Sequence, residues 1–164
     1  MAHSSPGAET ALRKARPMHP SDMNTAVPRS AYDETLGLVY FARMLDKIRK
    51  HARGELREDF HENLGSGMDG RLCLFMRVDY EALKKRTLEG GSDEEILAWC
   101  EAQSRPLNDA DRILWNDATR KRGWRDPETA TLFLEKVKAA SGLADRIDIQ
   151  TMFDYFDVDE GRKP

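Results

Sequence analysis

Apolar residues recur at alternating steps of three and four between Leu36 and Arg53: Leu38, Phe41, Leu45, Ile48 and Ala52. That spacing puts them on one face of an α-helix. Arg43, Asp46, Lys47, Arg49 and Lys50 then fall on the opposite face, where solvent is expected. Gly54 follows the last turn, a position where glycine commonly ends helices. This segment is the predicted central helix, and the other elements are expected to pack against it.

Downstream, polar punctuation separates short apolar patterns. Asp79 can cap a helix through Leu88, closed by Gly90 and Gly91. Ser92 with Glu95 three residues on forms a capping box, and Ile96, Leu97 and Cys100 of that helix should face inward. Asn108 caps the next, with Ile113, Leu114 and Trp115 inward and Gly123 at its end. Asp126 before Pro127 predicts a helix start, followed by Ala130, Phe133, Leu134 and Val137 as its inward face. Asp148 opens a short last helix carrying Met152, Tyr155 and Phe156. The expected fold is all-α, an irregular bundle of about six short-to-medium helices.

Two stretches lack periodicity. Residues 1–27 contain Pro6, Pro17 and Pro20 and no apolar repeat, so a disordered tail is expected, with nothing before Pro28 in the core. Residues 28–164 are read as a single helical domain. Inside it, Gly54 to Arg71 is polar and glycine-rich and reads as a long irregular loop, the kind that is commonly functional. Leu72 to Val78 is a short apolar run that periodicity leaves open between helical and extended packing without a sheet.

Charge narrows the partners. The chain has 164 residues, 34% of them charged, and a net charge of −3. Residues 1–30 carry Arg13, Lys14, Arg16 and Arg29 against Glu9 and Asp22, so the remainder is the acidic part. Such a body is a poor match for a phosphate backbone, and nucleic acid is not the expected partner. No apolar run approaches the roughly 20 residues of a membrane span, and no secretory leader is recognisable. The two cysteines, Cys73 and Cys100, sit among apolar residues and are expected to be buried, reduced thiols of a cytoplasmic protein.

Candidate chemistry gathers in the 54–71 loop. GSGMDG at residues 65–70 has dinucleotide-loop spacing, but the acidic EDFHENL before it has no strand character, so no cofactor is expected. His51 and His61 flank the loop, and His61 sits near Asp59 and Glu62. These groups could trade protons or bind a metal only if folding gathers them, because no i, i+4 spacing fixes them on one helix; no metal site is predicted. His51 alternatively serves the negative end of the central helix dipole. Arg71 can grip a carboxylate or phosphate with two bonds, or pin the loop through Asp69 or Glu62. The candidate ligand-binding residues are thus His51, Asp59, His61, Asp69 and Arg71. DYFDVDEGR at 154–162 has the acids of a calcium loop without its spacing. RKRGWR at 120–125 reads as a basic helix end whose Trp124 folds onto the core.

Several separated motifs, PRSAYD (28–33), ARMLDKIR (42–49), GMDGRLC (67–73), GGSDEEILAWC (90–100), RKRGWRD (120–126) and SGLADRIDIQTMFDYFDVDEGR (141–162), resemble the domain-of-unknown-function family 5069. The resemblance implies a small bacterial cytoplasmic domain and transfers no activity or catalytic residue. The expected role is a non-enzymatic binding or interaction module for an unknown protein or small acidic ligand. The alternative is a small enzyme with an acid/base or metal site in the 54–71 loop.

Overall fold

The computed structural model describes residues 26–126 and 129–164. The expected tail therefore lies outside the described residues, apart from Ala26 and Val27. These two are docked: Val27 is buried, its carbonyl accepts from Lys50, and the Ala26 carbonyl accepts from the Arg57 amide. Val27 thus joins the buried interior, where the expectation put nothing before Pro28 in the core.

The described residues hold seven α-helices and one two-stranded hairpin, an all-helical bundle as the patterning predicts. The hairpin pairs β1 (Glu34–Thr35) antiparallel with β2 (Leu38–Val39), Thr35 opposite Leu38. Leu36 and Gly37 both have positive φ, as a two-residue turn that matches strand twist requires. This turn removes residues 36–40 from the predicted central helix. That helix, α1, runs Phe41–Ala52, entered through Tyr40 in the left-handed conformation.

Phe41, Met44, Leu45 and Ile48 of α1 sit in the main core with Leu38 and Val39 of the hairpin. Ala52, beyond the covering elements, is exposed. The opposite face corrects the sequence reading more deeply: Arg43 and Lys47 are 2% and 3% exposed. So α1 is covered on both sides, by apolar core on one and a charged interior on the other.

The supposed 54–71 loop is largely ordered. Residues Glu58–Asn63 form a 3-10 helix, and α2 (Gly67–Met76) already starts at the glycines. The 72–78 run therefore belongs to a helix, which Arg77 ends in the left-handed conformation. Then come α3 (Tyr80–Leu88), α4 (Asp93–Gln103) and α5 (Asp109–Arg120), each opened by its predicted cap, Asp79, Ser92 and Asn108. Asp111 completes a second capping box with Asn108.

Helix α5 is rotated relative to its predicted face. Ile113 and Leu114 are exposed, whereas Trp115 and Asn116 are buried. Hydrogen bonding explains the rotation. A two-stranded hairpin leaves the outer edge of each strand unpaired, and on the β2 side the Asn116 side chain accepts from the Val39 amide at 3.0 Å and donates to the Gly37 carbonyl at 2.8 Å. Trp115 Nε1 donates to the Val39 carbonyl at 3.1 Å. Satisfying these buried backbone groups outweighs hiding two aliphatic side chains.

Trp124 is exposed beside Arg125 rather than folded onto the core. Helix α6 runs Ala130–Ala140, entered from Thr129; Pro127, the predicted start signal, lies outside the described residues. Ala130 and Leu134 face inward, but Phe133 is exposed. Helix α7 (Met152–Asp159) is capped by Thr151 instead of Asp148, which is held by Arg146. After α7 the chain returns to the entry segment: Ser30 and Tyr32 donate to Asp157 and Asp154, and Arg162 donates to the Pro28 carbonyl. No helix of the described residues is long and apolar enough to cross a membrane.

Candidate functional site

The charged face of α1 lines a cavity of about 270 Å³. Arg43 and Lys47, one turn apart on α1, line it together with Tyr40, the residue that enters the helix. The 3-10 helix contributes Asp59 and Phe60, the start of α2 contributes Gly67, Met68 and Arg71, and α6 and α7 close the far wall with Val137, Met152, Tyr155 and Phe156. The lining thus mixes aromatic and thioether surface with converging charges, the usual make-up of a small-molecule site.

Arg43 and Lys47 each form a buried ion pair at this wall. Arg43 grips Glu160 with both terminal nitrogens and gives a further bond of 2.9 Å to the Arg29 carbonyl. The Phe156 ring stacks 4.7 Å from its guanidinium carbon. Burial penalises this cation, but the bonds and charge of Glu160 outweigh that and raise its pKa. Arg43 Nε is buried without a partner among the described residues.

The second pair is Lys47 with Asp69, 2.5 Å apart. Asp69 is fully buried, and its other oxygen accepts from the Gly65 amide at 3.2 Å. The Tyr40 hydroxyl donates to Asp69 at 2.9 Å and accepts from Lys47 at 3.2 Å, so the three groups form a closed triangle. Burial pushes the Tyr40 phenol well above its ordinary range, and the Asp69 charge adds to the shift. Burial lowers the Lys47 ammonium, against the pull of Asp69.

The rim is differently built. Arg71 is exposed and makes no ion pair or hydrogen bond among the described residues. Arg122 stands nearby; burial lowers its pKa, and the Arg71 charge lowers it further, with only Asp126 pulling the other way. These two guanidiniums also border a wider concavity of about 630 Å³ that runs past Trp115 and Trp124. Like-charged groups held together without a bonded counter-ion among the described residues have donors to offer an incoming anion.

A family model described as a domain of unknown function (DUF5069) matches residues 25–162. The chain belongs to this family. No curated protein matches the chain. Membership in DUF5069 supplies no residue roles, so the geometry must stand on its own.

The five candidates from the sequence divide between places. Asp59 and Arg71 line the cavity, and Asp69 lies directly behind Tyr40 and Lys47. Asp59 is held by two bonds of 2.6 Å from Arg57. His51 and His61 stack edge to face outside it, ring centres 4.7 Å apart, both exposed, with His61 Nε2 at 3.0 Å from the Leu56 carbonyl. The pinning role considered for Arg71 does not hold for Asp69, which belongs to Lys47. Among the described residues no cluster of three His, Cys, Asp or Glu could hold a metal. Sequence reasoning missed Tyr40, Arg43, Lys47, Arg122 and Glu160. A faint signal existed in the helical spacing of Tyr40, Arg43 and Lys47, but spacing alone equally describes a solvated stripe.

Proposed function

We propose that this domain binds a small organic anion with an apolar body in the cavity beside α1. The observation that carries this reading is the pair of rim guanidiniums, Arg71 and Arg122, which have no bonded counter-ion among the described residues, at the edge of a partly aromatic cavity. The positive end of the α2 dipole adds to the field there, since Ser66 and Gly67 also border the cavity. Tyr155, Phe156 and Met152 offer surface for the apolar part. A volume near 270 Å³ lies at the small end of ligand pockets, usually about 300–1,000 Å³, so the ligand is of metabolite size. The buried free thiols Cys73 and Cys100 support a reducing compartment, and we place the domain in the bacterial cytoplasm.

A thermal-shift screen of short carboxylates and phosphate monoesters tests the reading. A true ligand at a hundred times its dissociation constant stabilises the native state by about 2.7 kcal/mol. Arg71→Ala should leave the unliganded stability within about 0.5 kcal/mol, as for other surface changes, Arg122→Ala, at a half-buried position, should cost about 0.5–3 kcal/mol, and both should abolish the ligand shift. The reading fails if no anion moves the midpoint, or if both variants respond as the wild type does.

A further inference from the structure

We propose that Lys47 is a nucleophilic amine that condenses with the carbonyl group of a small oxo acid bound in this cavity. The inference rests on the anion-binding reading and adds chemistry to it.

Among the described residues Lys47 is the only lysine lining the cavity, and its side chain is 3% exposed. A buried lysine paired with a buried carboxylate is an expensive arrangement. Replacing such a pair with apolar side chains of the same volume is often neutral or stabilising, so packing alone does not call for it. The triangle around Lys47 has the parts that amine chemistry needs. Asp69, at 2.5 Å, is an acceptor for the ammonium proton. Tyr40, touching both groups, is a donor for a developing alkoxide. Arg71 and Arg122 at the rim would hold the carboxylate of the same molecule. Burial and the neighbouring Arg43 charge both ease loss of the Lys47 proton, which agrees with this geometry.

The step balances without an oxidant or reductant. Asp69 takes one proton from the Lys47 ammonium, freeing the nitrogen lone pair. That pair bonds to the carbonyl carbon, while the π electrons move to oxygen, which takes the Tyr40 proton. The second nitrogen proton passes to Tyr40, restoring it. The carbinolamine nitrogen then forms the C=N bond as the C–O bond breaks, and the hydroxyl leaves as water with the proton held by Asp69. The products are a protonated imine on Lys47 and one water. An iminium so placed withdraws electrons from the adjacent carbon, the requirement for decarboxylation, aldol cleavage or enamine formation.

The test uses the full chain and three probes that place the carbonyl at increasing distance from the carboxylate: pyruvate, acetoacetate and levulinate. Each is incubated with protein and sodium cyanoborohydride, which reduces an imine to a stable secondary amine. Intact mass and peptide mapping follow. The expected result is one adduct per chain with at least one probe, located on Lys47. Lys47→Arg keeps a cation against Asp69 and should melt near the wild type, yet carry no adduct. Should that variant not fold, the wild-type peptide map decides the matter alone. The matching hydroxy acids, lactate and 3-hydroxybutyrate among them, separate binding from condensation. If hydroxy and oxo acids stabilise the protein while Lys47 stays unmodified, condensation is refuted and anion binding survives. Label spread over surface lysines with none on Lys47 also refutes it. If neither class stabilises the protein and Lys47 stays unmodified, condensation is refuted, and the wider anion screen, phosphate monoesters included, decides the binding reading separately.

Discussion

Glu160 is a buried carboxylate whose loss strands a buried cation. Its side chain is 1% exposed and receives both terminal nitrogens of Arg43, itself 2% exposed. Replacing Glu160 by Ala leaves the guanidinium enclosed with one bond, donated to the Arg29 carbonyl, and the face of Phe156. Breaking one side of a buried pair typically costs about 3–5 kcal/mol. Arg162 also loses an acceptor, but it is part-exposed and keeps Asp157 at 3.6 Å, so that loss adds less than about 1 kcal/mol. With a total stability of about 5–15 kcal/mol, the Ala variant stands close to unfolding. Glu160→Gln is more readable, because its amide oxygen still accepts one bond while its NH₂ faces the other nitrogen. We expect a loss on the order of 2–3 kcal/mol, the scale of a hydrogen bond to a charged group. Urea denaturation at constant m-value measures it. Arg43→Met combined with Glu160→Leu should recover most of the loss, since no lone charge remains inside. A Glu160→Gln cost under about 0.5 kcal/mol, the size of an exposed pair, would refute the burial argument.

Gly65→Ala should destabilise by about 2–5 kcal/mol, from left-handed strain and overpacking together; φ is +74° and the new Cβ would lie 2.6 Å from the Tyr80 ring. Gly54→Ala, at φ +69° with nothing within 4 Å, should cost only the strain, about 1–2 kcal/mol, and equal losses at both sites by urea denaturation would contradict the contact. Burial pushes the Cys73 and Cys100 thiols up to about 12 from 9.0, helped by Asp69 and Cys73 respectively. The unfolded chain releases these protons first, so stability should fall as pH rises from 9 towards 12, and a Cys73→Ala/Cys100→Ala variant should show a shallower fall in urea midpoint over that range. Lys47, with its lowered pKa, works in the opposite direction and stays constant across that comparison. Removing residues 1–27 rather than 1–25 should cost a further 1.5–3 kcal/mol or so, because Val27 is buried, and matching melting curves would show that Val27 contributes nothing.

Local chemistry in the sequence determined much of the secondary structure. Asp79, Ser92 and Asn108 cap helices because their side chains satisfy amides only three positions away, a relation that needs no distant partner. The apolar face of α1 was legible for the same reason, since Phe41, Leu45 and Ile48 repeat within one helix. Tertiary structure decided the rest. Nothing in the spacing of Arg43 and Lys47 tells whether solvent or a carboxylate faces them; Glu160 lies 117 positions from Arg43. The exposed Ile113 and Leu114 follow from a backbone debt at Gly37 and Val39 that only the folded hairpin creates. The 54–71 segment places Asp69 and Arg71 well and leaves His61 outside, because a 3-10 helix and the early start of α2 set their directions, while His51 ends up outside on the last turn of α1. A buried charge is written in the sequence as a charge; its burial is a property of what packs over it.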